Sequence, residues 1–284
     1  MSKVVELFGH ATESPQADWS RIVHQQECPF LSKRCYKVRK SDPNTSIGTC
    51  TILSGRAQDA VVICPARLLE RNQIFIDCIP LLSTHHPDNE LHIVREVSIP
   101  GGTIDFMLAS VRSGKVVDFV GIEVQALDTT GTLWPHRQQL LLELGVLPED
   151  ELKVSSLKSY GINWKMTAKT TLVQLHHKIR TFEHLHKRLV LVLQDVLFNY
   201  MKDEFSFNHF SNPAELSDAM HLHVYQMAKQ PNRSLSLNIS QRLSTNAEGL
   251  LKSLDLRGEP YLEISTLTAK LEAKLTSGTL LKQT

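Results

Sequence analysis

The chain has 284 residues, of which 42% are apolar and 21% charged, the composition of an ordinary folded protein with enough apolar residues for a sizeable core. A formal net charge of +1 excludes a polycation that holds nucleic acid by bulk charge, so any such binding must come from local basic patches. No apolar run approaches the roughly 18 residues of a membrane-spanning helix, and the first residues, MSKVVELFGHATESP, lack a basic-then-apolar secretory pattern; a cytoplasmic protein under reducing conditions, with no membrane contact, is expected.

Residues 1–27 are polar, with a short helix predicted over residues 19–26. All five cysteines follow early, at Cys28, Cys35, Cys50, Cys64 and Cys78. In a reducing compartment such clustering points to a metal site in preference to disulfides. Cys28-Pro29 and Cys64-Pro65 repeat one device, a proline that stiffens the backbone just after the thiol. The gaps of six, fourteen and thirteen residues between Cys28, Cys35, Cys50 and Cys64 are not those of paired C-x-x-C knuckles. Four thiolates nevertheless make a tetrahedral site for Zn²⁺ or iron. Buried free cysteines are the plainer reading, and the one that suits Cys78 in IFIDCIP. Among the first cysteines runs KRCYKVRK, whose Lys33, Arg34 and Lys37 are candidate phosphate contacts if they are not merely a solvated charge run.

Arg67–Leu82 has the pattern of an amphipathic helix, and residues 85–89 that of a loop. Glu90–Ile99 is a predicted strand, and Gly101–Gln125 a hairpin turning at Ser113-Gly114-Lys115. Alternation puts Ile104, Phe106 and Leu108 on one face and Asp105 on the other. A three-residue loop pairing Arg112 with Val116 sets Asp105 opposite Glu123, whereas a two-residue loop would put the two carboxylates on opposite faces. Adjacent carboxylates suit Mg²⁺ or Mn²⁺. The pattern, Asp105, seventeen residues, then Glu123-x-Gln125, is a variant of the nuclease signature D…[DE]-x-K with glutamine in place of lysine. A solvated polar face explains so short a pattern about as well. Glu96 is a candidate third acid on the same terms.

Thr129 and Thr130 follow the second strand in a loop beside the acids, where functional residues concentrate. Residues 135–160 are expected to be irregular apart from a short helix over 136–144. A long helix is predicted over residues 165–186 from Leu172, Leu175, Ile179 and Phe182, with Trp164, Lys165 and Lys169 near its start as candidate nucleic-acid contacts. LVLVLQDVLF, residues 189–198, is a predicted central strand. The tail suggests a strand over 220–227 and helices over 245–254 and 263–275. The order of elements indicates an α/β fold.

These residues together resemble the NotI-type restriction endonucleases. The resemblance is carried by CPF at Cys28–Phe30, the spaced Cys35 and Cys50, ICPARLL from Ile63, IDF and GIEVQALDTTG between Ile104 and Gly131, YGINW at Tyr160–Trp164, and LVLVLQD from Leu189. It covers roughly residues 25–200. It implies a PD-(D/E)XK nuclease core, a mixed β-sheet flanked by helices, over residues 67–200. An N-terminal four-cysteine metal-binding segment would occupy residues 1–66, and an extension packed on the core residues 201–284. It also implies type II, Mg²⁺-dependent cleavage of double-stranded DNA at a palindromic, GC-rich site by a homodimer. Asp105, Glu123 and Gln125 would be catalytic, with Glu96 the upstream acid. Cys28, Cys35, Cys50 and Cys64 would hold structural iron, with zinc the second choice. A repair or structure-specific endonuclease, or an inactive metal-knuckle DNA-binding protein, are the alternatives from other classes.

Overall fold

The computed structural model describes residues 2–55, 58–147, 160–231, 233–254 and 263–274. The first segment holds more strand than its polar composition suggests. β1 (Val4–Leu7), β2 (His10–Ala11), β7 (Thr49–Ser54) and β8 (Asp59–Val62) form an antiparallel sheet in the order β2-β1-β7-β8. Helix α1 (Trp19–Gln25) matches the short helix expected there, and the Asp18 carboxylate caps it by accepting the Arg21 N–H. Two ribbons follow, β3 (Glu27–Cys28) with β4 (Lys33–Arg34), and β5 (Val38–Arg39) with β6 (Asp42–Ser46).

The single helix expected over Arg67–Leu82 does not form. A 3₁₀ stretch over Pro65–Asn72, a one-turn helix α2 (Gln73–Ile76) and a 3₁₀ turn over Ile79–Leu81 replace it, because the backbone kinks at Glu70 (ψ 123°) and Arg71 (φ 52°). An amphipathic helix assigns Arg67 to solvent; instead its side chain is only 1% exposed. Nε lies 2.8 Å from the Glu6 carboxylate on β1, Nη1 2.9 Å from Glu70, and Nη2 2.9 Å from the Leu235 carbonyl. The guanidinium also stacks over the Phe30 ring, 4.9 Å from its centre. One side chain thus ties the first sheet to the tail. Arg67→Ala leaves Glu6 buried without a counter-charge and is expected to lower unfolding stability by about 3–5 kcal/mol, read from urea denaturation.

The main sheet has six strands, built from β9 (Glu90–Ile99), β10 (Gly102–Arg112), β11 (Lys115–Gln125), β14 (Arg188–Gln194), β15 (Met220–Lys229) and β16 (Leu235–Thr245). A small ribbon of β12 (Thr129–Thr130) and β13 (Gly161–Ile162) stands beside it, and α3 (Trp134–Glu143) lies between the two in sequence. The order is β16-β15-β14-β11-β10-β9, with β14 parallel to both neighbours and the outer pairs antiparallel, a mixed α/β architecture. β14 is buried on both faces. Leu189, Leu191 and Leu193 share a core with Leu172, Leu175 and Ile179 of α4 (Trp164–His184). Val190 and Val192 join a second core with Leu69, Phe75 and Tyr225.

The strand expected to run through residue 198 stops at Gln194, whose amide bonds the Val62 N–H and the Ala60 carbonyl. Asp195 then starts helix α5 (Asp195–Glu204), which buries Leu197, Phe198 and Met201. A continuous apolar run does not by itself distinguish a buried strand from a buried helix. In the tail, β15 and α6 (Ala247–Ser253) fall where a strand and a helix are expected, β16 was not anticipated, and α7 (Ile264–Glu272) covers most of the last predicted helix, whose residue 275 lies outside the described residues. Residues 148–159 of the stretch expected to be irregular also lie outside them.

Candidate active site

The hairpin brings Asp105 and Glu123 face to face by a route other than the expected three-residue loop. Arg112 pairs with Lys115 across a two-residue turn, Ser113-Gly114, both with positive φ (51° and 72°) as such turns require. That turn alone would separate the carboxylates. Between the Val111–Val116 and Ser110–Asp118 pairs, however, β11 carries one extra residue, Val117, in a β-bulge. The bulge shifts the register by one, so Phe106 pairs with Ile122 and the next positions are Asp105 and Glu123.

Beyond that pair the two strands part. Asp105 Oδ2 accepts the Val124 N–H at 2.9 Å, and the Asp105 N–H is donated to the Glu123 carboxylate. The expected alternation breaks here: Phe106 and Leu108 lie in one core, but Ile104 joins the core that contains the α4 leucines. On β9 the residue between the partners of Ile104 and Phe106 is Glu96, at φ 54°.

A cavity of about 430 Å³ opens at this fork, lined by Asp105, Glu123, Gln125, Thr171, Gln174 and Lys178 among others. Lys178 Nζ reaches in from α4, 2.8 Å from Glu123 Oε1 and 2.7 Å from the Thr103 carbonyl. Burial pushes the Glu123 carboxyl up to about 7; the Lys178 hydrogen bond opposes this and the Asp105 charge adds to it. Gln125 is clamped, with Thr171 Oγ1 2.9 Å from its Oε1 and the Ala126 carbonyl 2.6 Å from its Nε2. No family model, curated protein or solved structure matches this chain.

The other candidate residues are scattered. Glu96 is exposed and lines a neighbouring cleft with Lys33, Tyr36, Arg95 and Asp105, so Asp105 stands between two openings while Glu96 does not reach Glu123's. Arg34 donates to the Asn44 carbonyl, and Lys37 Nζ donates to the Ile63 carbonyl at 2.7 Å, close to the cysteines. Thr129 and Thr130 form the small ribbon, where Thr130 Oγ1 accepts the Gly161 N–H at 3.2 Å. Trp164 packs on Tyr200, with ring centres 5.6 Å apart, and Lys165 lies 4.0 Å from Glu204. Neither they nor Lys169 line the cavity. Lys178 escaped notice, although a signal existed: Thr171, Leu175, Lys178 and Phe182 form one helical stripe, and a lysine on a buried stripe is anomalous.

Cys28, Cys35, Cys50 and Cys64 are buried free thiols in one core, apart from Cys78 in the other. The Cys50 thiol, which donates to the Gly48 carbonyl at 3.4 Å, and the Tyr36 hydroxyl both lie against the Cys64 sulfur. Cys50 leads in lowering the Cys64 thiol to about 6 against the effect of burial, with help from Lys37. The repeated Cys-Pro device aims the backbone N–H two residues on at the sulfur, from Phe30 to Cys28 and from Ala66 to Cys64. Burial raises the Cys28 thiol. Among the described residues, no three or more His, Cys, Asp or Glu side chains stand in a ready-made metal cage. None of the helices among these residues is long and apolar enough to cross a membrane.

Proposed function

We propose that this chain is a type II restriction endonuclease with a PD-(D/E)XK core, a homodimer that hydrolyses double-stranded DNA at a palindromic, GC-rich site with Mg²⁺. The observation that carries this reading is the opposed Asp105–Glu123 pair at the sheet fork, with Gln125 clamped beside it in one polar cavity. Two carboxylates and a nearby carbonyl suit Mg²⁺, which keeps several waters and takes further oxygens from a phosphate. Asp105, Glu123 and the Val124 carbonyl would hold it. Bound there, it would lower the pKa of a coordinated water and neutralise charge on the phosphate. Gln125 cannot act as a cation, but its fixed amide orients the attacking water. The four buried thiols have the donor chemistry for iron or zinc, and the Cys64 thiol, lowered to about 6, is ready to ionise. Cys28, Cys35, Cys50 and Cys64 would close around such an ion, which serves structure and not chemistry.

Divalent-ion affinity follows Glu123. Its folded carboxyl keeps a proton up to about pH 7, so each ion bound below that pH displaces one. Affinity for Ca²⁺, used as a non-cleaving substitute, is expected to rise roughly tenfold per pH unit up to about 7 and then level off, read by calorimetry.

The deciding experiment is digestion of several long, sequenced DNAs by the purified protein, with Mg²⁺ and with EDTA. Discrete Mg²⁺-dependent fragments sharing one end sequence support the proposal. A smear points to a nuclease of another kind. No cleavage of unmethylated DNA, by protein whose cysteine metal is intact, leaves a DNA-binding module as the reading.

A further inference from the structure

We propose that Lys178, delivered by helix α4, supplies the cation at the reacting phosphate that the motif strand lacks at Gln125; this deepens the nuclease reading and rests on it. The placement is specific. Lys178 lines the same cavity as Asp105, Glu123 and Gln125, with its side chain only 8% exposed. Lysine is rarely buried unless paired, and an apolar residue on that stripe would simply extend the core. Among the described residues its ammonium uses two N–H donors, on Glu123 Oε1 and the Thr103 carbonyl. An ammonium has three. The remaining one is available to a phosphate oxygen entering the cavity that Lys178 shares with the two carboxylates.

The register of α4 is built to keep it there. Gly101 (φ 99°) lies so close to the helix that a Cβ on it would stand 2.4 Å from the His177 carbonyl oxygen. A Cβ on Gly102 would stand 3.1 Å from Lys178 Cε, and Thr181 Oγ1 donates to the Pro100 carbonyl at 3.0 Å. The Pro-Gly-Gly turn before the motif strand is thus a seat for one turn of α4, and Lys178 is the residue that this seat aims at Glu123.

In the reaction, the water oxygen forms a bond to phosphorus. The bond from phosphorus to the leaving sugar oxygen breaks with its electron pair, that oxygen takes a proton from solvent, and the attacking water's proton passes to solvent. Lys178 takes no part in these proton transfers and stabilises the growing charge on the phosphate oxygens. A mere counter-ion that keeps Glu123 ionised would have the same geometry, and the two roles differ in pH dependence.

The test measures single-turnover cleavage at saturating Mg²⁺. Lys178→Gln is expected to lose about 10²–10³-fold in rate, as when a donor to a developing oxyanion is removed. That loss should persist at about pH 9, where high pH and saturating Mg²⁺ together strip the proton from Glu123 without help from a lysine. Ca²⁺-supported DNA binding should survive, weakened far less than the rate, and Lys178→Gln with Gln125→Lys, which moves the cation to the strand, should regain at least about tenfold. If the glutamine variant fails to fold, Lys178→Met, which fills the site without a charge, is measured instead. Cleavage within about threefold of the unsubstituted protein, or a loss that vanishes at high pH, would overturn the proposal. An unsubstituted protein that does not cleave would instead overturn the nuclease reading itself.

Discussion

Asp105→Asn and Glu123→Gln are each expected to abolish Mg²⁺-dependent cleavage, by about 10³-fold or more, while site-specific binding in Ca²⁺ survives at higher ion concentration. The substitutions are chosen to isolate charge. Asparagine at 105 keeps an oxygen for the Val124 N–H, and glutamine at 123 keeps one for the Asp105 N–H and Lys178. What each removes is a negative ligand. Glu123→Ala is a poorer choice, because it strands a buried lysine, and breaking a buried pair costs about 3–5 kcal/mol in folding. Gln125→Ala should slow cleavage without weakening the ion, since its amide is held by Thr171 and Ala126. Either carboxyl variant cleaving at the full rate would remove the basis of the proposed function. Tighter Ca²⁺ binding by Glu123→Gln would do the same.

With a metal held by the four cysteines as proposed, Cys64→Ser is expected to release it and lower unfolding stability by several kcal/mol, out of the roughly 10–16 kcal/mol that such a site contributes in small zinc domains. Cys28→Ser should behave alike. The loss should appear first as metal content, by mass spectrometry, and as an earlier urea midpoint. The molecules that stay folded should still cleave at the normal rate. Cys64 is the most exacting position because Cys50, Tyr36 and the Ala66 N–H all converge on its sulfur. Hydroxyl for thiol there keeps a donor but loses the thiolate. Cys78→Ser serves as the control. Its sulfur sits in the other core, 3.8 Å from His223 Nδ1, and its removal should leave metal content unchanged. A stable, metal-free protein as purified, unaffected by Cys64→Ser, would reduce the four cysteines to ordinary core residues.

Much of the candidate site was legible because its signals are local. Acidic residues that interrupt apolar β runs mark the hairpin, and the spacing of Leu172, Leu175, Ile179 and Phe182 marks α4. The repeated Cys-Pro pairs announce two thiols that receive backbone N–H groups. The readings failed where a distant partner decides conformation. The single helix expected over Arg67–Leu82 gives way to kinked turns in which Arg67 is held buried on Glu6, sixty-one positions away. Phe198 looked like strand until Gln194 was seen anchored to Val62. The Asp105–Glu123 pairing was reached through the wrong turn, since nothing local distinguishes Val117 as a bulged residue.

The side-chain period of two determined that Asp105 could meet Glu123, and the apolar run around Cys78 set it apart from the four thiols that share one core. A period and an apolar run are properties of a few neighbouring residues, so they are written in the chain. Tertiary structure alone brought Lys178 across fifty-five positions to Glu123, by seating α4 on Gly101 and Gly102. It alone set the ionisation of Glu123, because desolvation depends on what packs around a carboxyl, and that is decided only when the sheet and helix close over it.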